Sequence, residues 1–159
     1  MKFACFTGHR NLSCDIEDLK AGLYNVLERA IKNAGITEFY NGGAVGFDLL
    51  SEQIVLKLRE LYPEVKLHMI LPCSPKEQSK DWSNDQKTSY FCVLEQADTI
   101  EQISDYYYDG CMKVRNTRLM ELADCCFCYL DTRKQRSGTA QTVRMAQRKN
   151  IMVVNFYRK

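Results

Sequence analysis

Three short stretches carry residues that suit a phosphorylated ligand. They are Thr7-Gly8-His9-Arg10, Asn41-Gly42-Gly43-Ala44-Val45-Gly46 and Ser137-Gly138-Thr139. Glycine lets a ligand come close to the backbone, and helix N-termini offer free N–H groups and partial positive charge. Gly46 and Gly138 each stand just before or at the start of a helical pattern. Gly43 is read as facing the ligand, so that a side chain there would block its approach. Asp48 and Glu52 are one helical turn apart and share a face. Such a pair could serve as acid and base, hold a ribose hydroxyl or hold Mg²⁺; Asp48 is read as the ligand contact and Glu52 as lying on the helix surface. His9 is a base or phosphate ligand by type. Arg115 and Asn116 fall on the same helical stripe as Met112, Leu119, Met120 and Ala123, which aims both inward. A buried guanidinium needs an anion. The alternatives are a ligand or an internal pairing with Asp48 or Asp124.

Alternating elements must position these residues. Apolar runs at 2–6, 36–40, 65–71, 99–103, 125–130 and 151–156 read as strands. Three-to-four spacing predicts helices over 15–34, 47–61, 112–123 and 138–149. Asp15 is the expected N-cap and Gly35 the stop of the first. Residues 73–97 are polar, then weakly helical. This order predicts a doubly wound, mostly parallel α/β sheet with helices on both faces, a single Rossmann-like domain over 1–159. Ligands of such sheets bind beyond the carboxyl ends of the strands. The glycine, hydroxyl and basic residues collect at that edge.

Composition narrows the classes. The chain has 159 residues, 45% hydrophobic and 26% charged, with a net charge of +2. That is an ordinary globular balance. No apolar run approaches the ~20 residues of a membrane span, and the run in MKFACFTGHR is too short for a signal peptide. The cytoplasm is the expected compartment, and the eight cysteines are expected to be reduced. Cys125, Cys126 and Cys128 sit in the apolar run CCFCYL and read as small buried hydrophobes. No metal and no cofactor is expected. Charge is segregated: five acids and no bases lie from Glu95 to Asp109, and no acid follows Asp131. The basic end reads as a solvated face, or as a surface for phosphate. Trp82 and Tyr106-Tyr107-Tyr108 read as packing residues, with stacking on a base as the alternative.

FTGHR, GGAVGFD, MKVRNTRLMELAD and SGTAQT, in this order and spacing, resemble the SLOG superfamily, named for the Smf/DprA and LOG proteins. The nearest branch is the YpsA-like one. The resemblance covers nearly the whole chain and implies a modified Rossmann fold that binds nucleotide-like ligands, with homodimers as a further expectation. LOG members cleave the base from nucleoside monophosphates, using an arginine on the late helix and a PGGxGTxxE loop. Arg115 matches the arginine, and Gly138 and Thr139 match the GT. The loop before them is DTRKQRS, and Thr142 stands at the glutamate position. Without that carboxylate, an oxocarbenium-like centre is harder to stabilise.

The expected function is therefore binding of a nucleotide-derived phosphorylated small molecule, as a sensor module with no catalytic residue assigned. The expected contacts are Thr7, Gly8, His9, Arg10, Gly42, Gly43, Ala44, Gly46, Asp48, Arg115, Asn116, Ser137, Gly138, Thr139 and Thr142. The alternatives are a LOG-type phosphoribohydrolase and DprA-type nucleic-acid binding. No membrane partner is expected.

Overall fold

The computed structural model describes residues 2–158. The elements run β1 (Phe3–Gly8), α1 (Ile16–Ala34), β2 (Glu38–Asn41), α2 (Phe47–Leu61), β3 (Lys66–Leu71), α3 (Pro75–Ser79), α4 (Asn84–Gln96), β4 (Thr99–Gln102), α5 (Cys111–Leu122), β5 (Cys125–Tyr129), α6 (Gly138–Arg148) and β6 (Met152–Asn155). The strands form one parallel sheet in the order β4-β3-β2-β1-β5-β6. This is a doubly wound, Rossmann-like α/β fold.

The chain starts in the middle of the sheet and winds outward through β2 and β3 to β4. It then crosses back along α5 to β5 and winds the other way to β6. Strand order therefore reverses between β1 and β5. Their loops part in opposite directions there, which opens a crevice at the carboxyl edge. Helices α1, α2 and α4 pack on one face of the sheet, and α5 and α6 on the other.

Strand alternation sorts the core accordingly. Ala4, Phe6, Phe39, Phe127 and Tyr129 belong to the cluster under α1, α2 and α4. Cys5, Cys126 and Cys128 belong to the cluster under α5 and α6. Small thiols let those two helices lie close to the strands. Cys125 and Cys128 have CxxC spacing, yet the strand sends them to opposite faces of the sheet. All eight cysteines are free thiols. Burial raises the Cys125 thiol to about 11 and pushes Cys128 up as well, so both are inert as nucleophiles.

Local sequence explains the boundaries. The Asp15 carboxylate accepts from the N–H groups of Glu17 and Asp18, and Gly35 closes α1 with a left-handed φ of 69°. The weakly periodic stretch 73–97 resolves into α3 and α4. Helix α4 buries Tyr90, Val93 and Leu94, and its start is fixed by a capping box between Ser83 and Gln86. With so narrow a buried face, its periodicity was faint.

Phe47, the first residue of α2, is fully buried. Its ring lies 6.0 Å from Tyr129, 6.2 Å from Phe156 and 6.4 Å from Phe6, measured between centroids. Its N–H donates to the His9 carbonyl at 3.2 Å. Gly8 passes so close that a Cβ there would overlap the Phe47 ring. Phe47 thus ties α2 to the loop after β1. Phe47→Ala should lower the unfolding free energy by about 3–5 kcal/mol, the usual cost of emptying a buried aromatic site, as measured by urea denaturation.

Candidate functional site

The crevice encloses about 370 Å³. The loop after β1 gives it Thr7, Gly8, His9 and Arg10. The β2–α2 turn and the first turn of α2 give Ala44 and Asp48, helix α5 gives Arg115 and Asn116, and the start of α6 gives Ser137, Gly138 and Thr139. Four segments far apart in sequence thus meet at the strand-order reversal.

Two backbone donors are available at α6. The Ser137 hydroxyl accepts from the Ala140 N–H at 3.1 Å and donates to the Lys134 carbonyl at 2.8 Å. Ser137 therefore caps the helix. The N–H groups of Gly138 and Thr139 have no partner among the described residues. They line the crevice at the positive end of the helix. Of the basic run before them, Arg133 is tied to Asp131 at 2.8 and 3.0 Å, and this pairing holds the Asp131 carboxyl well below its usual range.

Arg115 is buried, with 4% of its surface exposed. Its Nη1 donates to the Gly42 carbonyl, and its Nε donates to Asn116 Oδ1 at 2.7 Å. Nη2 meets the Met112 sulfur at 3.9 Å. Among the described residues no carboxylate reaches ion-pairing distance of it. Asp124, one of the two acids the sequence offers as its partner, instead accepts from the N–H groups of Lys2 and Phe3. Asp48 acts on Arg115 through space without touching it. The guanidinium lies against Gly42, where a Cβ would overlap it.

Beneath the crevice is an acid pair. Asp48 Oδ2 accepts from the Ala44 N–H at 3.3 Å, while Oδ1 has no partner. Burial raises its carboxyl to about 6, with Arg115 acting in the opposite direction. Glu52 lies one turn further, fully buried with both oxygens unpartnered, which corrects the surface placement expected from the sequence: its face of α2 turns inward with that of Asp48. Burial, reinforced by Asp48, pushes its carboxyl well up. His9 is also constrained. The Asp131 N–H donates to His9 Nε2 at 3.0 Å, and since an amide N–H can only donate, the ring proton must sit on Nδ1. Burial, then Lys134, lower its pKa. His9 is a neutral donor whose lone pair is already used.

Four of the residues assigned from sequence do not line the crevice. Gly42 lies under Arg115. Gly43 has φ 78°, its N–H donates to Asn41 Oδ1 at 3.0 Å, and a Cβ there would meet Leu71, Tyr90 and Met69 at 3.0–3.3 Å. It serves the turn and the core, which corrects the expectation that it faces a ligand. Gly46, φ 80°, lies against the carbonyls of His9 and Arg10. The Thr142 hydroxyl is buried and donates to the Gly138 carbonyl at 3.0 Å. Trp82 packs edge-on against Tyr90, with centroids 4.9 Å apart, and Tyr106, Tyr107 and Tyr108 are exposed. None of these four aromatics lines the crevice.

Sequence reasoning missed Gln78 and Tyr90. Gln78 Nε2 donates to the Gly42 carbonyl at 3.1 Å, and the Tyr90 hydroxyl donates to Gln78 Oε1 at 2.6 Å. They support the carbonyl that receives Arg115. Their signal lay in the stretch of faint periodicity. A larger cavity of about 490 Å³ lies at the start of α1, but Asp15 there is already used as the helix cap.

Known proteins place the chain. The model of the YspA SLOG family matches residues 5–158. A UPF0398 protein of Bacillus cereus strain B4264 is 23% identical over 167 residues, covering 99% of this chain and 88% of that protein. One from Bacillus thuringiensis strain Al Hakam gives the same identity and coverage. A UPF0398 protein of Halalkalibacterium halodurans is 27% identical over 97 residues, covering 60% of this chain and 50% of the relative.

The acid pair makes stability depend on pH. A carboxyl whose pKa is raised on folding favours the native state when protonated. That contribution is complete below the unfolded value near 3.8 and is lost as pH rises through the folded value of about 6. Above pH 7 the loss from Asp48 reaches about 3 kcal/mol. Asp48→Asn should therefore melt higher than the wild type at pH 8, with the difference shrinking to near zero at pH 4. Thermal melts across that range measure it.

Proposed function

The chain belongs to the YspA SLOG family, and we propose that it binds a nucleotide-derived phosphorylated small molecule in the crevice between β1 and β5, as a sensing module. The observation that carries this reading is Arg115, a buried cation on the crevice wall with neutral hydrogen-bond partners. An anionic group in the crevice would complete its charge. The free N–H groups of Gly138 and Thr139 would meet the same anion from the other side, as helix N-termini do with phosphate. Arg10, exposed at the rim, adds a third donor.

The reading stops at binding. The position that the family resemblance assigns to a catalytic glutamate holds Thr142, whose hydroxyl is occupied. His9 has no free lone pair to act as a base. Incubation with nucleoside monophosphates should release no free base, as followed by chromatography.

A ligand that binds the native state alone must raise the melting temperature. A screen of AMP, ADP-ribose, NAD and cyclic dinucleotides should give at least one shift, with mononucleotide-sized compounds favoured by the crevice volume. No shift at millimolar concentration would sink the reading. Arg115→Met keeps most of the stem and removes the charge. It should weaken the ligand that gave the shift by about 1.5–3 kcal/mol, the range for a charge-assisted hydrogen bond, with little loss of stability in the free protein. Calorimetric titration and melts of both proteins measure the two effects.

A further inference from the structure

The crevice wall is rich in donors. Arg115 and Arg10 bring guanidinium N–H groups, Gly138 and Thr139 bring amides, and His9 brings the proton on Nδ1. Asp48 is the one carboxylate lining it among the described residues. It is 5% exposed, and its Oδ1 is unpartnered.

These two features impose opposite demands. An anion is drawn to the donors and repelled by Asp48. A ligand that satisfies both must be bipolar, with an acceptor-rich anionic group at the start of α6 and a donor near Asp48. An ammonium would meet Asp48 well, but it would sit among the positive charges of Arg10 and Arg115. A hydroxyl donates without adding charge. The volume, about 370 Å³, is at the small end of ligand cavities, which run roughly 300–1,000 Å³. That suits one sugar phosphate with its base, and not two nucleotides.

We propose that Asp48 is a specificity-determining residue of this crevice, accepting a hydrogen bond from a sugar hydroxyl of a bound 5′-mononucleotide, so that the protein selects ribose over deoxyribose ligands. The proposal rests on the nucleotide-binding reading above and adds the sugar to it. A site built to hydrogen-bond a hydroxyl rejects the analogue that lacks it, because its own buried acceptor is left unpaired. Arg115 and the α6 amides hold the phosphate in this arrangement. Glu52, buried behind Asp48 and unable to reach the crevice, does not compete for the hydroxyl.

The test is calorimetric titration of the wild type and Asp48→Asn with AMP, 2′-deoxy-AMP, 3′-deoxy-AMP and inorganic phosphate. At pH 8 the wild type should bind AMP at least tenfold more tightly than one of the deoxy analogues. The ratio should fall to within about threefold in Asp48→Asn. It should also fall in the wild type between pH 8 and pH 5, as Asp48 takes up its proton. All three nucleotides share one phosphate, so its own titration cancels in the ratio, and the pH series reads Asp48 even if the variant fails to fold. Equal binding of AMP and both deoxy analogues by the wild type overturns the proposal and leaves nucleotide binding intact. So does a tenfold preference that survives both Asp48→Asn and pH 5. If AMP and inorganic phosphate both fail to bind at millimolar concentration, the nucleotide reading falls, and the proposal falls with it.

Discussion

A charge held inside the protein without a carboxylate in contact governs this structure. Arg115 is buried under the crevice, and its guanidinium is satisfied by a backbone carbonyl, a side-chain amide and a thioether contact. Removing a cation from water costs several kcal/mol when nothing repays it. Several features reduce that cost locally. Gly42 has no side chain, so the guanidinium reaches its carbonyl. Gln78 donates to the same carbonyl and is itself oriented by Tyr90. Asn116 turns its oxygen toward Nε. Neutral dipoles hold the cation in place, with no carboxylate in contact to pair its charge.

The acids near it follow the same logic. Asp48 could have been its ion-pair partner, but its Oδ2 accepts from the Ala44 amide instead. Burial raises both Asp48 and Glu52, and Asp48 further discourages ionisation of Glu52. Around neutral pH the pair therefore holds less negative charge than two free carboxylates would. That leaves the field of Arg115 directed at the crevice. The fold supplies the rest. Reversal of strand order between β1 and β5 brings the start of α6 opposite α5, so the free amides and the buried cation address the same space.

Much of this was legible in the sequence. The strand and helix alternation gave the sheet, because a strand buried on both faces and an amphipathic helix leave distinct periods. Arg115 stood out because a cation interrupted an apolar stripe. The glycine turns marked the carboxyl edge, and most residues assigned there line one crevice. Glycine reports a backbone need without saying which kind. Gly43 and Gly46 meet steric demands of the turn and of the neighbouring loop, and composition cannot separate these from a ligand's approach. Gln78 and Tyr90 act through one or two hydrogen bonds on short or narrowly buried helices, which leave no period. The unpaired state of Arg115 was also out of reach, since it depends on where Asp48 and Asp124 direct their oxygens.

The central claim is that Arg115 and the start of α6 address one anion. A crystal structure of the protein with AMP tests it most directly. The account predicts the phosphate in the β1–β5 crevice, within hydrogen-bonding distance of Arg115 and of the Gly138 and Thr139 amides. A nucleotide bound elsewhere, such as in the cavity at the start of α1, with Arg115 still confined to Gly42 and Asn116, would contradict it.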